Sequence, residues 1–418
     1  MSALDGLSSV ELYTIAVTAG TALALVSVPA ILIQRRGRPV GALAWILAVL
    51  SLPVVGLLLW WLVGFNSLRR KRNWRKRSAN AIRDELVELK DRIDARPIEL
   101  PEAITSNQYG VFPPTDGNAV RLLVDGEDAF PSMVQAIENA QDHVHFLFYI
   151  WQRDEWGTRL RDAMTERAKA GVQVRALYDD LGSASVDRRF LRPLVDAGAK
   201  CLAFLPNRLF RGRWSINFRN HRKILVVDGR VAFIGGINIG DEYASEGWRD
   251  FAVRLEGPVV DQIQEVFADD WHFASNGESI ADKRFFGGAD VDKGGALCSV
   301  VASGPDTESQ ETLDAFFVAL NSAKRRVWVM SPYFVPEKTI VTSLRTLCLR
   351  GVEVTLVLPG VLDHNYILWT SRTYFRELLA SGVKIFEYQP NMLHGKAMVV
   401  DDAVSYVGSA NIDNRSFA

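Results

Sequence analysis

Asn220–Asn238 reads N-H-R-K-I-L-V-V-D-G-R-V-A-F-I-G-G-I-N, and Leu393–Asn411 reads L-H-G-K-A-M-V-V-D-D-A-V-S-Y-V-G-S-A-N. In each stretch a Lys stands two residues after a His and an Asp seven after it. A small pair (Gly235-Gly236, Gly408-Ser409) and then an Asn follow. One constant spacing carries His221 to His394, Lys223 to Lys396, Asp228 to Asp401 and Asn238 to Asn411. Residues two apart on a strand share a face, so each His and its Lys point the same way. Ile224–Val227 fits a buried strand, Asp228-Gly229 a tight turn, and Val231–Ile234 an antiparallel return. Gly235, Gly236 and Ser409 mark places where the backbone can approach another group closely. His supplies a nucleophile or an acid/base near neutral pH, and Lys a point charge for phosphate. Two copies packed face to face would join two His and two Lys. That set suits phosphodiester chemistry without metal. Asp228 and Asp401 fall at strand-ending turns, where a structural and a direct role are both open.

At these residues the chain resembles the phospholipase D superfamily, whose members carry the motif twice. The surrounding words narrow the resemblance to the bacterial cardiolipin synthases. They are S-G-P-D (Ser303–Asp306), S-P-Y-F-V-P (Ser331–Pro336), R-G-V-E-V (Arg350–Val354), L-P-G (Leu358–Gly360), M-L-H-G-K (Met392–Lys396) and A-N-I-D-N-R-S-F (Ala410–Phe417). The resemblance implies transfer of a phosphatidyl group between two phosphatidylglycerols, giving cardiolipin and glycerol. His221 would attack phosphorus and form a phosphatidyl-histidine. His394 would protonate the leaving glycerol and then activate the second lipid, although near-equivalence of the motifs leaves the two roles exchangeable. Lys223, Lys396, Asn238 and Asn411 would hold phosphate oxygens. No cofactor or metal is implied. Water as acceptor would make the chain a hydrolase instead, and a third reading is an inactive protein that binds anionic lipid. Asp250, in Trp248-Arg249-Asp250, is the candidate carboxylate to orient a catalytic His. The family places such an acid in each lobe. The second would fall just past Ala418, so symmetry and family together imply further residues there.

Leu12–Ile33 and Val40–Phe65 carry no charge, and each is long enough to span a bilayer core of ~30 Å. Trp60 and Trp61 near the end of the second suit an aromatic belt. The short connector Gln34–Pro39 makes the pair a transmembrane hairpin. Net charge is −1, yet Arg35–Arg83 holds eleven Lys or Arg and no acid. Most of these lie in Arg69–Arg77, outside the hairpin; the connector holds Arg35, Arg36 and Arg38. The larger cluster predicts lobes facing the cytoplasm of a bacterial inner membrane. The expected partners are therefore the bilayer and its phospholipids, not nucleic acid. Asn207–Arg219, alternating Arg with Phe210, Trp214 and Phe218, is expected to dip aromatics into the interface.

The remainder reads as an α/β pseudo-dimer of two phospholipase D-like lobes, with mixed sheets flanked by helices. The expected organisation is a hairpin over 1–68, a basic linker over 69–117, and lobes over 118–290 and 291–418. Strand and helix alternate in both lobes, which points to largely parallel sheets. His143 and His145 alternate on a strand without a third metal ligand and read as strand-edge histidines. Cys201, Cys298 and Cys348 read as reduced thiols.

Overall fold

The computed structural model describes residues 8–35, 39–60, 80, 82, 85, 112–204, 220–286, 294–302, 311–362 and 365–413. Arg69–Arg77, the loop Asn207–Arg219, Ser303–Asp306 and the residues after Asp413 lie outside them. The chain forms two compact units, Met1–Asn73 with Leu209–Trp214 and the remainder.

In the first unit, Ser9–Gln34 is one continuous helix with Pro29 inside it. At ~1.5 Å per residue it spans about 39 Å, and Val17–Gln34 is long and apolar enough to cross a membrane. The second apolar stretch differs from the expected single span. It forms helices Pro39–Ser51 and Pro53–Leu59, broken at Leu52 (φ −131, ψ 73). Pro53 has no N–H to donate and disfavours helical geometry in the residue before it. Ala24, Ile31, Val49 and Trp60 are buried together. A Cβ on Gly56 would overlap the Ala48 carbonyl, so this close crossing admits only glycine.

The second unit holds both lobes. The strands of the first are β1 (Thr115–Val124), β2 (His143–Phe148), β3 (Gln173–Asp179), β4 (Lys200–Phe204), β5 (Lys223–Val227), β6 (Val231–Gly235), β7 (Trp248–Arg249), β8 (Phe251–Glu256) and β9 (Ala296–Cys298). The second has β10 (Arg326–Met330), β11 (Phe334–Val335), β12 (Glu353–Pro359), β13 (Lys384–Tyr388), β14 (Met392–Leu393), β15 (Ala397–Val400), β16 (Val404–Val407) and β17 (Ile412–Asp413). The sheets run β4-β3-β2-β5-β6-β8-β1-β9 and β13-β12-β10-β15-β16. They are mixed, as expected of the pseudo-dimer, with the parallel strands gathered on one side of each sheet. In each, three strands are parallel, and the motif strand pairs antiparallel to the innermost of them. The cause is local. The motif strand leads straight into a tight turn at Asp228-Gly229 or Asp401-Asp402, and a tight turn joins only antiparallel neighbours. The first sheet also takes in β9, past the position expected to end that lobe.

The two faces of β2 show the period-two rule. Val144, Phe146 and Phe148 enter the core with residues of helices Asp125–Glu138 and Glu155–Lys169. His143 and His145 point to the other face. Both are completely buried, and His145 Nδ1 lies 2.9 Å from Gln264 Oε1 on helix Val259–Ser275. They are core residues of a central strand, not strand-edge histidines. Among the described residues no group of three His, Cys, Asp or Glu could hold a metal.

Candidate active site

The lobes are stitched by two residues a side. β14 pairs parallel with β7, Met392 opposite Trp248 and Leu393 opposite Arg249. The His394 N–H donates to the Arg249 carbonyl at 2.7 Å. Continuing that register sets His394 beside Asp250, and its Nδ1 donates to Asp250 Oδ2 at 2.6 Å. The carboxylate of one lobe thus orients the histidine of the other. Asp250 is buried and doubly anchored. Its Oδ1 accepts the Phe251 N–H at 2.7 Å, and its own N–H donates to Asp125 Oδ1 at 2.8 Å.

Gly235 and Gly236 serve this anchoring. A Cβ on Gly235 would strike β8 at Phe251-Ala252, and one on Gly236 would overlap the Asp250 carboxylate. Gly236→Ala is therefore expected to push Asp250 off His394 and lower turnover by about 100-fold, as ~1 Å misplacements do. Steady-state rates on purified folded protein check this.

Lys396 Nζ lies 2.8 Å from Nδ1 and 3.1 Å from Nε2 of His394, and it donates to the His394 carbonyl. In the first lobe, Lys223 Nζ lies 3.2 Å from both His221 ring nitrogens and donates to the His221 carbonyl at 2.8 Å. His221 Nδ1 is held across the lobe boundary by the Ser409 carbonyl at 3.1 Å. A carbonyl only accepts, so His221 carries its proton on Nδ1, which leaves the Nε2 lone pair for chemistry. Arg222, alternating between His221 and Lys223, turns to the opposite face. There its guanidinium grips Asp270 at 2.7 and 2.9 Å. The matching Gly395 packs against Phe251, where a Cβ would not fit.

Asn238 and Asn411 are both buried. Asn238 Oδ1 accepts the Ile150 N–H at 3.3 Å, while Asn411 Oδ1 has no hydrogen-bond partner among the described residues. Asp228 and Asp401 are not part of the cluster. They stand at the far ends of β5 and β15. Asp228 accepts the N–H groups of Gln141, Asp142 and His143. Asp401 accepts those of Lys324, Arg325 and Arg326. Each binds the turn into the neighbouring strand, and each has positive φ, 53° and 52°. Asp401→Ala is expected to lower unfolding stability by about 1–3 kcal/mol, with turnover per folded molecule unchanged. Urea titration and active-site counting separate the two effects.

Four bases crowd around Asp250, with Asp179 also pulling on Lys223 and Asp413 on Lys396, and the charges show the strain. Burial, then Lys396, against the pull of Asp250, brings His394 down to about 4. Burial brings Lys396 to about 8, opposed by Asp250 and Asp413. His221 and Lys223 are held well below their ordinary values by burial and by the neighbouring cations. Burial alone would raise Asp250, yet Lys396 and His394 hold it below the usual carboxylate range. A bound anion would supply further negative charge. Lys396 is charged below about pH 8 and loses its proton above it. Sulfate affinity is therefore expected to fall by up to about tenfold per pH unit above pH 8, with proton uptake on binding near that pH. Calorimetry in buffers of different ionisation enthalpy reads both.

Two rings beside the histidines were not anticipated. Tyr149, at the end of β2, lies 4.7 Å from His221, and Trp248 lies 5.1 Å from His394, between ring centroids. The proximity of Trp248 to Asp250 in sequence was the available signal.

The family model described as "Cardiolipin synthase, PLD-like domain" matches residues 133–271 and 317–418, both halves of this site. The chain belongs to the cardiolipin synthase family. A second model, "Phospholipase D-nuclease N-terminal", matches residues 22–64. Among cardiolipin synthases, cardiolipin synthase 1 of Bacillus anthracis is 34% identical over 98% of this chain and 84% of that protein. Cardiolipin synthase A of Pseudomonas putida is 38% identical over 90% and 80%. The fold is shared with phosphatidylserine synthase of Haemophilus influenzae, at TM-score 0.52 and 15% identity over 71% of this chain and 79% of that one.

Proposed function

We propose that this member of the cardiolipin synthase family is a membrane-bound phosphatidyltransferase that joins two phosphatidylglycerols into cardiolipin and releases glycerol. One observation carries the reading: both His-Lys pairs face a single site in which Asp250 of the first lobe binds His394 of the second. Nε2 of His221 attacks phosphorus, and the bond to the headgroup glycerol oxygen breaks. His394, neutral in the empty site, takes up a proton once the phosphodiester anion lies beside it, and as imidazolium gives that proton to the leaving oxygen. The hydroxyl of a second phosphatidylglycerol then loses its proton to His394 and displaces His221. The oriented carboxylate suits His394 to the acid/base role, since it stabilises the imidazolium. A neutral carbonyl partner suits His221 to the nucleophilic one. Lys223 and Lys396 hold the non-bridging oxygens, and Asn238 and Asn411 add amide contacts.

The domain partition proposed with this reading is a hairpin, a basic linker and two lobes. The hairpin crosses the membrane twice and leaves the lobes in the cytoplasm, because Arg69–Arg77 outweighs Arg35, Arg36 and Arg38. Labelling of Gly37→Cys by an impermeant maleimide in intact cells tests the topology. Labelling from outside supports it, and labelling only after lysis removes it.

Mass spectrometry of phosphatidylglycerol proteoliposomes tests the activity. Cardiolipin with equimolar glycerol is expected. Phosphatidic acid would make water the acceptor, and no product would remove the reading.

A further inference from the structure

Helix Asn365–Arg372 has two unlike faces. Its inner face sets Leu368, together with Leu362 and Met392, against Trp248 and Tyr333. Trp248 is the ring beside His394. The helix is therefore joined through this apolar cluster to the ring beside His394. Its outer face leaves Tyr366 63% and Trp369 66% exposed, one turn apart. Val361, in the loop after β12, is 44% exposed. β3 holds the equivalent place in the first sheet, and the loop after it exposes Leu181. In both lobes, then, the loop after this strand, at the sheet edge that carries the His-Lys pair, leaves a large apolar side chain in the open.

A Tyr–Trp pair held outward on a helix that packs toward the catalytic histidine has a ready chemical partner. Both rings are amphipathic and settle at the headgroup level of a bilayer, the depth of a lipid phosphodiester. A site whose substrates stay in the bilayer must bring its mouth to that level. We infer that Tyr366 and Trp369, with Val361 and Leu181 around the mouth, form a bilayer-docking surface that seats the cleft on headgroups. This rests on the phosphatidyltransferase reading for the identity of the lipid, and it assigns a second membrane contact made by the lobes themselves.

The full-length chain in phosphatidylglycerol proteoliposomes tests it with two readouts. Tyr366→Ser/Trp369→Ser is expected to turn over bilayer phosphatidylglycerol at least about tenfold more slowly. It should turn over monomeric dibutyryl phosphatidylglycerol within twofold of wild type. Leu349→Ser serves as control. Leu349 is 79% exposed at the end of helix Lys338–Leu349, by the opposite sheet edge, and neither rate should change. In the second readout, the tryptophan emission lost in Trp369→Phe should be quenched in wild type by acyl-brominated lipid. Equal losses on both lipids would make the helix a mere cleft support and overturn the docking surface. So would no loss on either, or a Trp369 shielded alike in brominated and plain vesicles, as contact with a second copy would leave it. Quenching without turnover keeps the surface and sinks the transferase. Turnover without quenching does the reverse.

Discussion

His221→Ala is expected to remove turnover by roughly 10,000-fold or more, while leaving lipid binding and folding intact. The side chain supplies the Nε2 lone pair that the Ser409 carbonyl exposes by fixing the proton on Nδ1. No neighbour can replace it. Lys223, 3.2 Å away, is committed to the backbone carbonyl of residue 221. His394 faces its own carboxylate. His394→Ala is expected to be nearly as severe with phosphatidylglycerol, because glycerol is a poor leaving group without a proton. The double variant should be little worse than either single one, since both act in one step. Product formation per molecule, with melting temperature as control, checks all three.

Asp250→Asn is expected to lower turnover by about 100- to 10,000-fold through the tautomer of His394. Phe251 N–H donates to Oδ1, so the replacement amide keeps its oxygen there and turns an NH2 toward His394 Nδ1. The ring must then carry its proton on Nε2. The lone pair that accepts the acceptor's proton is lost, and the imidazolium is no longer stabilised. Asp250 also opposes the fall in the Lys396 pKa. Without it, Lys396 drops below about 8, and phosphate binding at neutral pH weakens. A lower kcat accompanied by a higher KM distinguishes this from Asp401→Ala, which should alter stability alone.

The repeated motif made the two-lobe plan legible, because it carried its own strand, turn and return. The histidines and lysines were equally plain, because two-residue spacing shares a face on extended backbone, although β5 begins only at Lys223 and β15 at Ala397. The seven-residue spacing to Asp228 and Asp401 left a structural and a direct role open. A strand of about 3.3 Å per residue carries the seventh residue to the opposite end, where it binds backbone instead of substrate. The cross-lobe pairing of β7 with β14 was not legible. Four residues form it, far apart in sequence and without a pattern of their own. Nor could a backbone carbonyl such as that of Ser409 be found among side-chain motifs. The glycines signalled a close approach, but only the structure names the neighbour, the Asp250 carboxylate. In the membrane stretch, hydropathy located both segments, while the break at Leu52 followed from the local geometry of Pro53.

The central claim is that His221 is the nucleophile and His394 the acid/base of one shared site. A phosphatidyl ester of p-nitrophenol tests it directly, since that leaving group needs no proton. His394→Ala should release one nitrophenolate per site in a burst and then stall, with phosphatidyl left on His221, and His221→Ala should give no burst. A burst from His221→Ala and none from His394→Ala would contradict the assignment.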